Sequence, residues 1–235
     1  MRWAQGLVLG CALWAATARA APSDRGVHLV LRAGTNFPLD VGGGLGLELG
    51  PFQVSAEAGV LPNAYVNAAN SALVASNLYD AQTAELLHDA LKNSLVLRTH
   101  LGWRPFPRAG FFVQAGYGVG FLDASLTAIE VANAAKMTLP GDVDPQTRAA
   151  LHTTVQLLDA QVGWRWVVAQ RMEIRAALGG AHAFASKSKV QIDQVGSGQP
   201  YAAQISGEGA RWVDRQVTTF GSTVELTLGV GFLAF

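Results

Sequence analysis

The sequence contains almost no cysteine. Its one cysteine, Cys11, lies in an apolar N-terminal segment that we expect to be removed on export. A mature chain without thiols has no disulfide, no cysteine-ligated metal and no cysteine nucleophile. Other side chains must therefore carry both the stability and the function.

The first 20 residues have the features of a secretory signal peptide. Arg2 precedes an apolar run from Leu7 to Ala16, and Ala18-Arg19-Ala20 places small residues at the first and third positions before a cleavage site. The run holds roughly a dozen apolar residues, whereas a transmembrane helix needs ~20. We predict a signal peptide over residues 1–20 and one mature domain over residues 21–235.

Charge is also scarce, and neither sign is in large excess. Charged residues make up 14% of the chain, against ~25% in ordinary soluble domains. Without the signal peptide, 15 basic residues accompany 17 acidic ones, a net charge of −2. Because nucleic-acid binding needs a basic surface, we expect no nucleic-acid partner.

Long hydrophobic runs are missing from the mature chain, and this excludes a transmembrane helix. Nevertheless, 50% of the residues are hydrophobic and 26 are glycine, a composition that implies apolar surface on more than one side. A chain of this kind has one established way across a bilayer, as a closed β-barrel.

Seven segments alternate apolar with small or polar residues, as barrel strands do when every second side chain faces lipid. The predicted strands cover residues 27–33, 44–49, 52–60, 95–104, 111–121, 158–166 and 172–179, and an eighth covers about 217–235. The pattern predicts an all-β fold, an antiparallel transmembrane β-barrel of about eight strands.

The connections between these strands differ in length. Short links occur near residues 50, 106 and 169, and long ones at about 34–40, 61–94, 123–153 and 185–212. Outer-membrane barrels have tight periplasmic turns and long external loops, so the long connections are predicted to be extracellular.

Some of the long connections carry signals of their own. An apolar stripe of helical period, from Val74 to Leu91, and the helix-starting pair Asp144-Pro145 predict short helices between residues 65 and 93 and between 125 and 152. In the last connection, alternation predicts that strands seven and eight continue as a hairpin above the membrane; the alternating residues are Val190, Ile192, Tyr201 and Ile205.

Aromatic residues support a membrane barrel over a soluble β-sandwich, which would also alternate. Five of them adjoin a short turn and face lipid by their parity: Phe52, Trp103, Phe111, Trp164 and Trp166. Aromatic side chains collect in this way where a bilayer meets water.

The same parities place five arginines and five acids inside the barrel. They are Arg32, Glu48, Glu57, Arg98, Arg104, Asp159, Arg165, Glu173, Arg175 and Glu225. Side chains fill the interior of a barrel of about eight strands, and an unpaired buried charge costs several kcal/mol. We predict a structural network of ion pairs; the alternative is a gated or narrow conduction path lined by the same residues.

Motifs for catalysis or ligand binding are weak. Only His182, with Ser186 and Ser188 nearby, suggests a base and a nucleophile, and no acidic partner has a recognisable spacing. No two histidines have the spacing of metal ligands on a helix or strand. No helix start follows the glycines at 42–44 and 116–120, and a crowded lumen explains them. We predict no catalytic, cofactor or metal site and no enzymatic activity.

The signal peptide, the alternating segments, the loop asymmetry and the closing run from Leu226 to Phe235 resemble the small outer-membrane β-barrel superfamily, which includes OmpA-like and OmpX-like barrels. The resemblance spans essentially the whole mature chain. It implies location in the outer membrane better than it implies an activity. Since the chain stops at Phe235, we expect no OmpA-like periplasmic domain.

The C-terminal phenylalanines, Phe232 and Phe235, resemble the signal by which such proteins are recognised for barrel assembly. This implies the barrel-assembly machinery as a transient partner. The facing of the last strand stays open: Phe235 and Leu233 on the lipid side would place Glu225 there as well, whereas an inward Glu225 would turn Phe232 outward. A bulge would resolve the conflict.

Three functions are compatible with the sequence. The first is a non-enzymatic, monomeric envelope barrel with a plugged polar lumen, whose long loops contact outer-membrane lipids, lipopolysaccharide or other surfaces. The second is a transport protein for small or apolar molecules, and the third is an envelope-lipid hydrolase or acyltransferase. We favour the first, because no motif supports the others.

Overall fold

The computed structural model describes residues 26–75, 94–134, 147–169, 171–192 and 199–234. The predicted signal peptide, most of the apolar stripe between Val74 and Leu91, the pair Asp144-Pro145 and the terminal Phe235 lie outside these residues.

Eight antiparallel strands close into a barrel in chain order, which confirms the predicted fold. Each strand pairs with the next along the chain, and the last pairs with the first. The strands are β1 Val27–Phe37, β2 Asp40–Leu49, β3 Phe52–Val60, β4 Leu95–Phe106, β5 Phe111–Thr127, β6 Arg148–Val168, β7 Met172–Ile192 and β8 Ser222–Leu233.

The strand register determines the width of the barrel. Following paired residues once around the sheet from Val27 leads back to β1 at Phe37, ten residues further along. With eight strands, a stagger of this size tilts the strands by roughly 40° to the barrel axis. The interior of such a barrel is just wide enough for side chains to fill it.

The outer face of the barrel is apolar and exposed. On β4, for example, Leu97, Leu101 and Trp103 are 42%, 69% and 51% exposed, while Arg98, His100 and Arg104 between them are buried. Water would penalise a continuous apolar surface of this kind, whereas the hydrocarbon of a bilayer does not. The alternation is therefore that of a barrel whose outside faces lipid.

The two ends of the barrel differ. At one end, here called the short-turn end, tight turns join β2 to β3, β4 to β5 and β6 to β7, and Gly50 and Gly110 adopt positive φ in the first two of these turns. At the other end β5, β6 and β7 continue beyond the barrel, with 17, 21 and 21 residues against 9 to 12 in the remaining strands. We call this the extended end.

The first of the four predicted long connections is wrong. Residues 34–40 are not a loop, because β1 continues to Phe37 and β2 begins at Asp40. The intervening turn is closed by a hydrogen bond from Leu39 N to Asn36 O, at 2.6 Å, and by one from Asn36 Nδ2 to Asp40 Oδ1, at 2.9 Å. The residue types of this segment favour turns, so the sequence predicted a loop where the two strands end.

The third and fourth connections contain more strand than predicted, and the predicted hairpin of strands seven and eight is wrong. The continuation of β7 pairs with β6, as in Val190 with Leu151, and not with β8. Tyr201 and Ile205 lie instead in a 22-residue helix, Gln199–Phe220. Consequently β8 begins at Ser222 rather than near residue 217.

Among the described residues, three α-helices lie at the extended end: α1 Asn63–Ala75, α2 Ala128–Ala134 and α3 Gln199–Phe220. The first two lie within or overlap the stretches 65–93 and 125–152 in which short helices were predicted, but most of the apolar stripe and the pair Asp144-Pro145 behind those predictions lie outside the described residues. Within the described part of the chain, none of these helices combines the length and apolarity needed to cross a membrane.

A small apolar core joins α2 and α3 to the inner face of the extended strands. Its buried members are Ala124, Val131, Ala149, Leu151, Val190 and Ile205, and Leu126, Ile192, Ala210 and Val213 pack against them. The strands above the barrel therefore have an apolar inner face and form their own compact layer with the helices.

Candidate functional site in the barrel lumen

The inner face of the barrel holds all ten of the charged residues that parity placed there. Nine of them are less than 10% exposed, and Glu48, Glu173 and Glu225 are at most 1% exposed. Glu57 is the exception, because 21% of its side chain is exposed. Nine of these residues belong to two groups along the barrel axis, and Arg175 stands apart from both.

The first group, the lower cluster, lies toward the short-turn end and consists of Arg32, Glu48, Arg104, Arg165 and Glu173. Glu48 pairs with three arginines: Arg165, Arg104 at 3.2 Å and Arg32 at 3.4 Å. Glu173 pairs with Arg165 at 2.9 Å and with Arg32 at 3.1 Å. Each carboxylate thus bridges guanidinium groups from different strands across the lumen.

The second group, the upper cluster, lies toward the extended end and has Arg98 as its main cation. Its two guanidinium nitrogens lie 2.8 Å from Glu225 Oε1 and 2.9 Å from Asp40 Oδ2. His100 Nε2 lies 3.1 Å from Asp159 Oδ1, and His100 Nδ1 lies 3.9 Å from Glu57 Oε1. The upper cluster therefore consists of Asp40, Glu57, Arg98, His100, Asp159 and Glu225.

Sequence reasoning missed two members of the upper cluster, Asp40 and His100. Asp40 lay in a segment predicted to be a loop. His100 had inward parity on β4, but it was considered as a catalytic or metal-binding histidine and not as a partner for carboxylates. The inward parity that His100 shares with Arg98 and Arg104 could have added it to the predicted network.

A ladder of three glutamine amides connects the two clusters. Arg32 Nη2 donates to Gln53 Oε1 at 3.4 Å, Gln53 Nε2 to Gln114 Oε1 at 3.2 Å, and Gln114 Nε2 to Gln161 Oε1 at 3.0 Å. Gln161 Nε2 then donates to Glu225 Oε2 at 2.9 Å. All three amides point their N–H groups from the cation at one end toward the carboxylate at the other.

The direction of this glutamine ladder matches the distribution of charge along the axis. Together with Arg175, the lower cluster contains four arginines and two glutamates, whereas the upper cluster contains four carboxylates with Arg98 and His100. Amide dipoles aligned between a cation-rich and an anion-rich region reinforce one another in a poorly solvated interior.

Arg175 differs from the other interior arginines, because no carboxylate of the described residues lies within ion-pair distance of it. Its guanidinium stands 4.5 Å from the ring centre of Phe112 and donates to Gln114 Oε1 at 2.7 Å. A cation above an aromatic face is stabilised by the ring quadrupole. Phe112 has the inward parity of Gln114 on β5, but the predicted interior network was drawn from charged residues alone.

Crowding explains the glycines that face the lumen. A Cβ atom at Gly46 would lie 2.8 Å from Arg32 Nη1, and one at Gly44 would lie 2.8 Å from Glu57 Cγ. Space remains beside Arg175 for a cavity of about 30 Å³, with Arg32, Asp40, Glu57 and Gln114 in its wall. A volume of this size admits about two water molecules.

The structure does not bring together the residues of the suggested nucleophile and base. His182 Nδ1 lies 2.8 Å from Ser222 Oγ in an exposed position. Ser186 instead donates to Asp214 Oδ1 of α3 at 2.9 Å, and Ser188 is buried against Thr153 at 2.9 Å. Histidine and serines therefore occupy different faces of β7. Within the described ranges, no three His, Cys, Asp or Glu side chains are grouped as metal ligands.

The facing of the last strand is resolved by Glu225. Its side chain is fully buried in the lumen, and Phe232 is 45% exposed on the outer face. The pairings of β8 with β1 and β7 run without a register shift, so no bulge is needed. Of the two predicted arrangements, the inward Glu225 is correct.

A closed antiparallel barrel with a lipid-facing apolar exterior and a polar interior is the architecture of an outer-membrane β-barrel protein. The fold and the surface therefore place the chain in that class and in the outer membrane.

Comparison with known proteins adds similarities at the level of overall shape. No protein-family model and no curated protein sequence matches the chain. Two similar solved structures are CarO2 of Acinetobacter baumannii (TM-score 0.36, 11% identity, 88% of this chain and 97% of that one covered) and a major outer membrane protein of Thermus thermophilus (TM-score 0.42, 13% identity, 88% and 99% covered). The class assignment rests on this chain's own register and surface.

Proposed function

We propose that this protein is a non-enzymatic, monomeric outer-membrane barrel whose lumen is closed by its own side chains and which acts through its extended end. The observation that carries the proposal is the continuous interior network from Arg104 and Glu48, through the glutamine ladder, to Glu225, Arg98 and Asp40. The proposal also assigns the chain to the OmpA-like and OmpX-like group of small barrels.

Two features of the interior support closure. The charged groups of both clusters are paired across the barrel, so their side chains cross the space that a solute would need. The cavity beside Arg175 is large enough for water molecules and too small for a substrate. Opening a path would require separating several buried ion pairs, which is unfavourable because it leaves uncompensated charges in a poorly solvated interior.

The extended end supports a role in contacts outside the membrane. There β5, β6 and β7 rise above the apolar band and carry exposed polar side chains, and α3 packs on their inner face. With this end extracellular, the surface is available to lipopolysaccharide, other envelope components or external partners. The barrel-assembly machinery is the proposed transient partner during insertion.

Conductance in planar bilayers tests the closed lumen. Folded wild-type protein should give no steady current, with heat-denatured protein as the background control. The contradicting result is a steady current through the wild-type protein, together with a different ion selectivity in Glu48→Gln. That result would show that ions pass through the lumen, and a transport function would replace this proposal.

Lipid analysis tests the absence of enzymatic activity. A deletion strain should have the same lipid A species as its parent. The contradicting result is a changed lipid A acylation pattern in the deletion strain, which returns to that of the parent when the wild-type protein is expressed but not when Ser186→Ala is expressed. That result would support an envelope-lipid hydrolase or acyltransferase.

A further inference from the structure

A β-bulge in β7 reverses which side chains face outward at the extended end. Before the bulge, odd-numbered residues such as Glu173, Arg175 and Ala183 are buried in the interior, whereas beyond it Ser188 and Val190 are buried. The register changes at this point: Leu157 pairs with Ala183, while the preceding Gln156 pairs with Ala185, so that Phe184 is left over.

The consequence of the bulge is that Lys187 and Lys189 project from the outer face, where both are exposed. Without the extra residue, the alternation of the strand would continue unchanged, and both odd-numbered lysines would point inward, against the apolar core beneath α3. Bulges commonly redirect side chains in this way next to functional sites. The two lysines are two residues apart on one strand, so they point in the same direction.

The neighbouring strand adds to this positive surface. Lys187 pairs with Thr154 and Lys189 with His152 of β6, and the exposed Arg148 lies further along the same strand. The only exposed carboxylate on the described strands is Asp123, which contacts His152 at 2.5 Å. We define the basic patch as Arg148, Lys187 and Lys189.

The position of the basic patch relative to the bilayer follows from the aromatic residues beneath it. Phe184 and Tyr117 are both exposed on the outer face, with ring centres 6.4 Å apart, and Phe121 is exposed on β5. Aromatic residues of this kind mark the boundary between hydrocarbon and headgroups. Lys187 is three residues beyond Phe184, at most roughly 10 Å along the strand, which is the level of the headgroups.

We propose that the basic patch binds the phosphate groups of lipid headgroups in the outer leaflet of the membrane. Ammonium groups bind phosphate as point charges, and the long lysine stems can lie along the sheet while the charged heads reach the headgroups. All exposed acidic, basic and histidine side chains of the described strands lie at this end. The inference rests on the proposed function, in which the extended end is extracellular, and it names the lipid chemistry that this end recognises.

Binding of lipid A to the folded mature protein tests this inference. The protein in detergent micelles is titrated with bisphosphorylated lipid A, and bound lipid is counted by native mass spectrometry. Each lysine near a phosphate surface contributes about fivefold in affinity, so Lys187→Gln with Lys189→Gln should weaken binding about 30-fold. Lys187→Arg with Lys189→Arg should restore it. Arg108→Gln with Arg171→Gln removes two exposed charges at the short-turn end and should have no effect.

Three outcomes would overturn the lipid site. If the wild type and the double glutamine variant bind lipid A with equal affinity, the lysines do not contribute to recognition. If the wild type binds dephosphorylated and bisphosphorylated lipid A with equal affinity, the phosphate groups are not recognised. Displacement of the lipid by inorganic phosphate at similar concentrations would identify a site for the free ion. Steady conductance of the wild type would overturn the proposed closed lumen without changing the measured affinity for lipid A. The two proposals can therefore fail separately.

Discussion

Arg98 is the main cation of the upper cluster. It is 3% exposed, and its guanidinium faces the carboxylates of both Glu225 and Asp40. The three residues come from β4, β8 and β2, so the pair partners lie on strands that are not adjacent to β4. A change at this position therefore affects carboxylates on two other strands of the barrel.

We expect Arg98→Ala to lower the free energy of unfolding by ~3–5 kcal/mol, because it leaves two buried carboxylates without their cation. Adding Glu225→Ala should recover part of this loss, so the double variant should cost less than the sum of the single ones. Urea unfolding in detergent, followed by gel mobility without heating, measures both. Glu57→Ala is the control, since Glu57 is the most exposed of the interior charges and should cost less.

The glutamine ladder makes a different prediction, because its members carry no charge. Gln161→Leu would leave the Nε2 group of Gln114 without its acceptor and remove one donor from Glu225, which typically costs ~1–3 kcal/mol per unsatisfied group. Gln156→Leu changes an exposed glutamine of the same strand and should be close to neutral. If the two variants unfold at the same urea concentration, the glutamine ladder does not stabilise the barrel.

For single residues, the sequence predicted which side chains face inward but not which of them contact one another. Parity alone placed Arg32 and Glu173 inside, but their contact at 3.1 Å joins residues 141 positions apart. Pairing depends on the stagger of ten residues around the barrel, which no local pattern records. Gln114 also had inward parity, but nothing in its local sequence identified its hydrogen-bond partners.

The long strands β5, β6 and β7 show where the reading of elements failed. Inside the membrane, apolar residues face out, but above it Ala149 and Leu151 face in while His152 and Thr154 face out. This inverts the pattern expected of a lipid-facing strand, because water and not lipid surrounds the extended end. The outward apolar residues therefore end at the membrane boundary, and the strand segments beyond it have the sequence pattern of loops.

The helices at the extended end had usable signals. Thr127 and Glu130 form a capping box, in which Thr127 N donates to Glu130 Oε2 at 2.6 Å and Glu130 N donates to Thr127 Oγ1 at 3.3 Å. In α3, Ile205, Val213 and Val217 are spaced by multiples of four, with Gly209 at the intervening position, and Pro200 stands near the start, where proline is favoured. These spacings predict a helix better than they predict a hairpin.

The contact of α3 with the strands yields a prediction about this element alone. Ile205 is 3% exposed in the apolar core, so Ile205→Asn should release α3 and make it accessible to protease, at a loss typical of large-to-small core changes. The barrel beneath should keep its heat-modifiable gel migration, because the lumen network does not include α3. Gln204→Asn, at an exposed neighbour, should be cleaved like wild type. Cleavage of Ile205→Asn at the wild-type rate would contradict the packing described here.

The whole molecule has one direction across the membrane, and its function depends on it. Both ends of the described chain, near Gly26 and Ala234, lie at the short-turn end, while the extended strands and α3 lie opposite. The lumen has a matching polarity, with excess arginine toward the short-turn end and excess carboxylate toward the extended end. Surface contacts through α3, and lipid phosphates on Lys187 and Lys189, both require the extended end to face outward.

Absence of thiols from the predicted mature chain makes this orientation directly measurable. Gln204→Cys places a single thiol on an exposed position of α3, and Arg108→Cys places one in an exposed short turn. On intact cells, a membrane-impermeant maleimide should label the first variant and not the second, because the outer membrane shields the short turns. After lysis both should react, which shows that Arg108→Cys is accessible in principle. Labelling of Arg108→Cys alone on intact cells would mean that the barrel is inverted, and Lys187 and Lys189 would then lie at the inner leaflet, away from the lipid phosphates proposed for them.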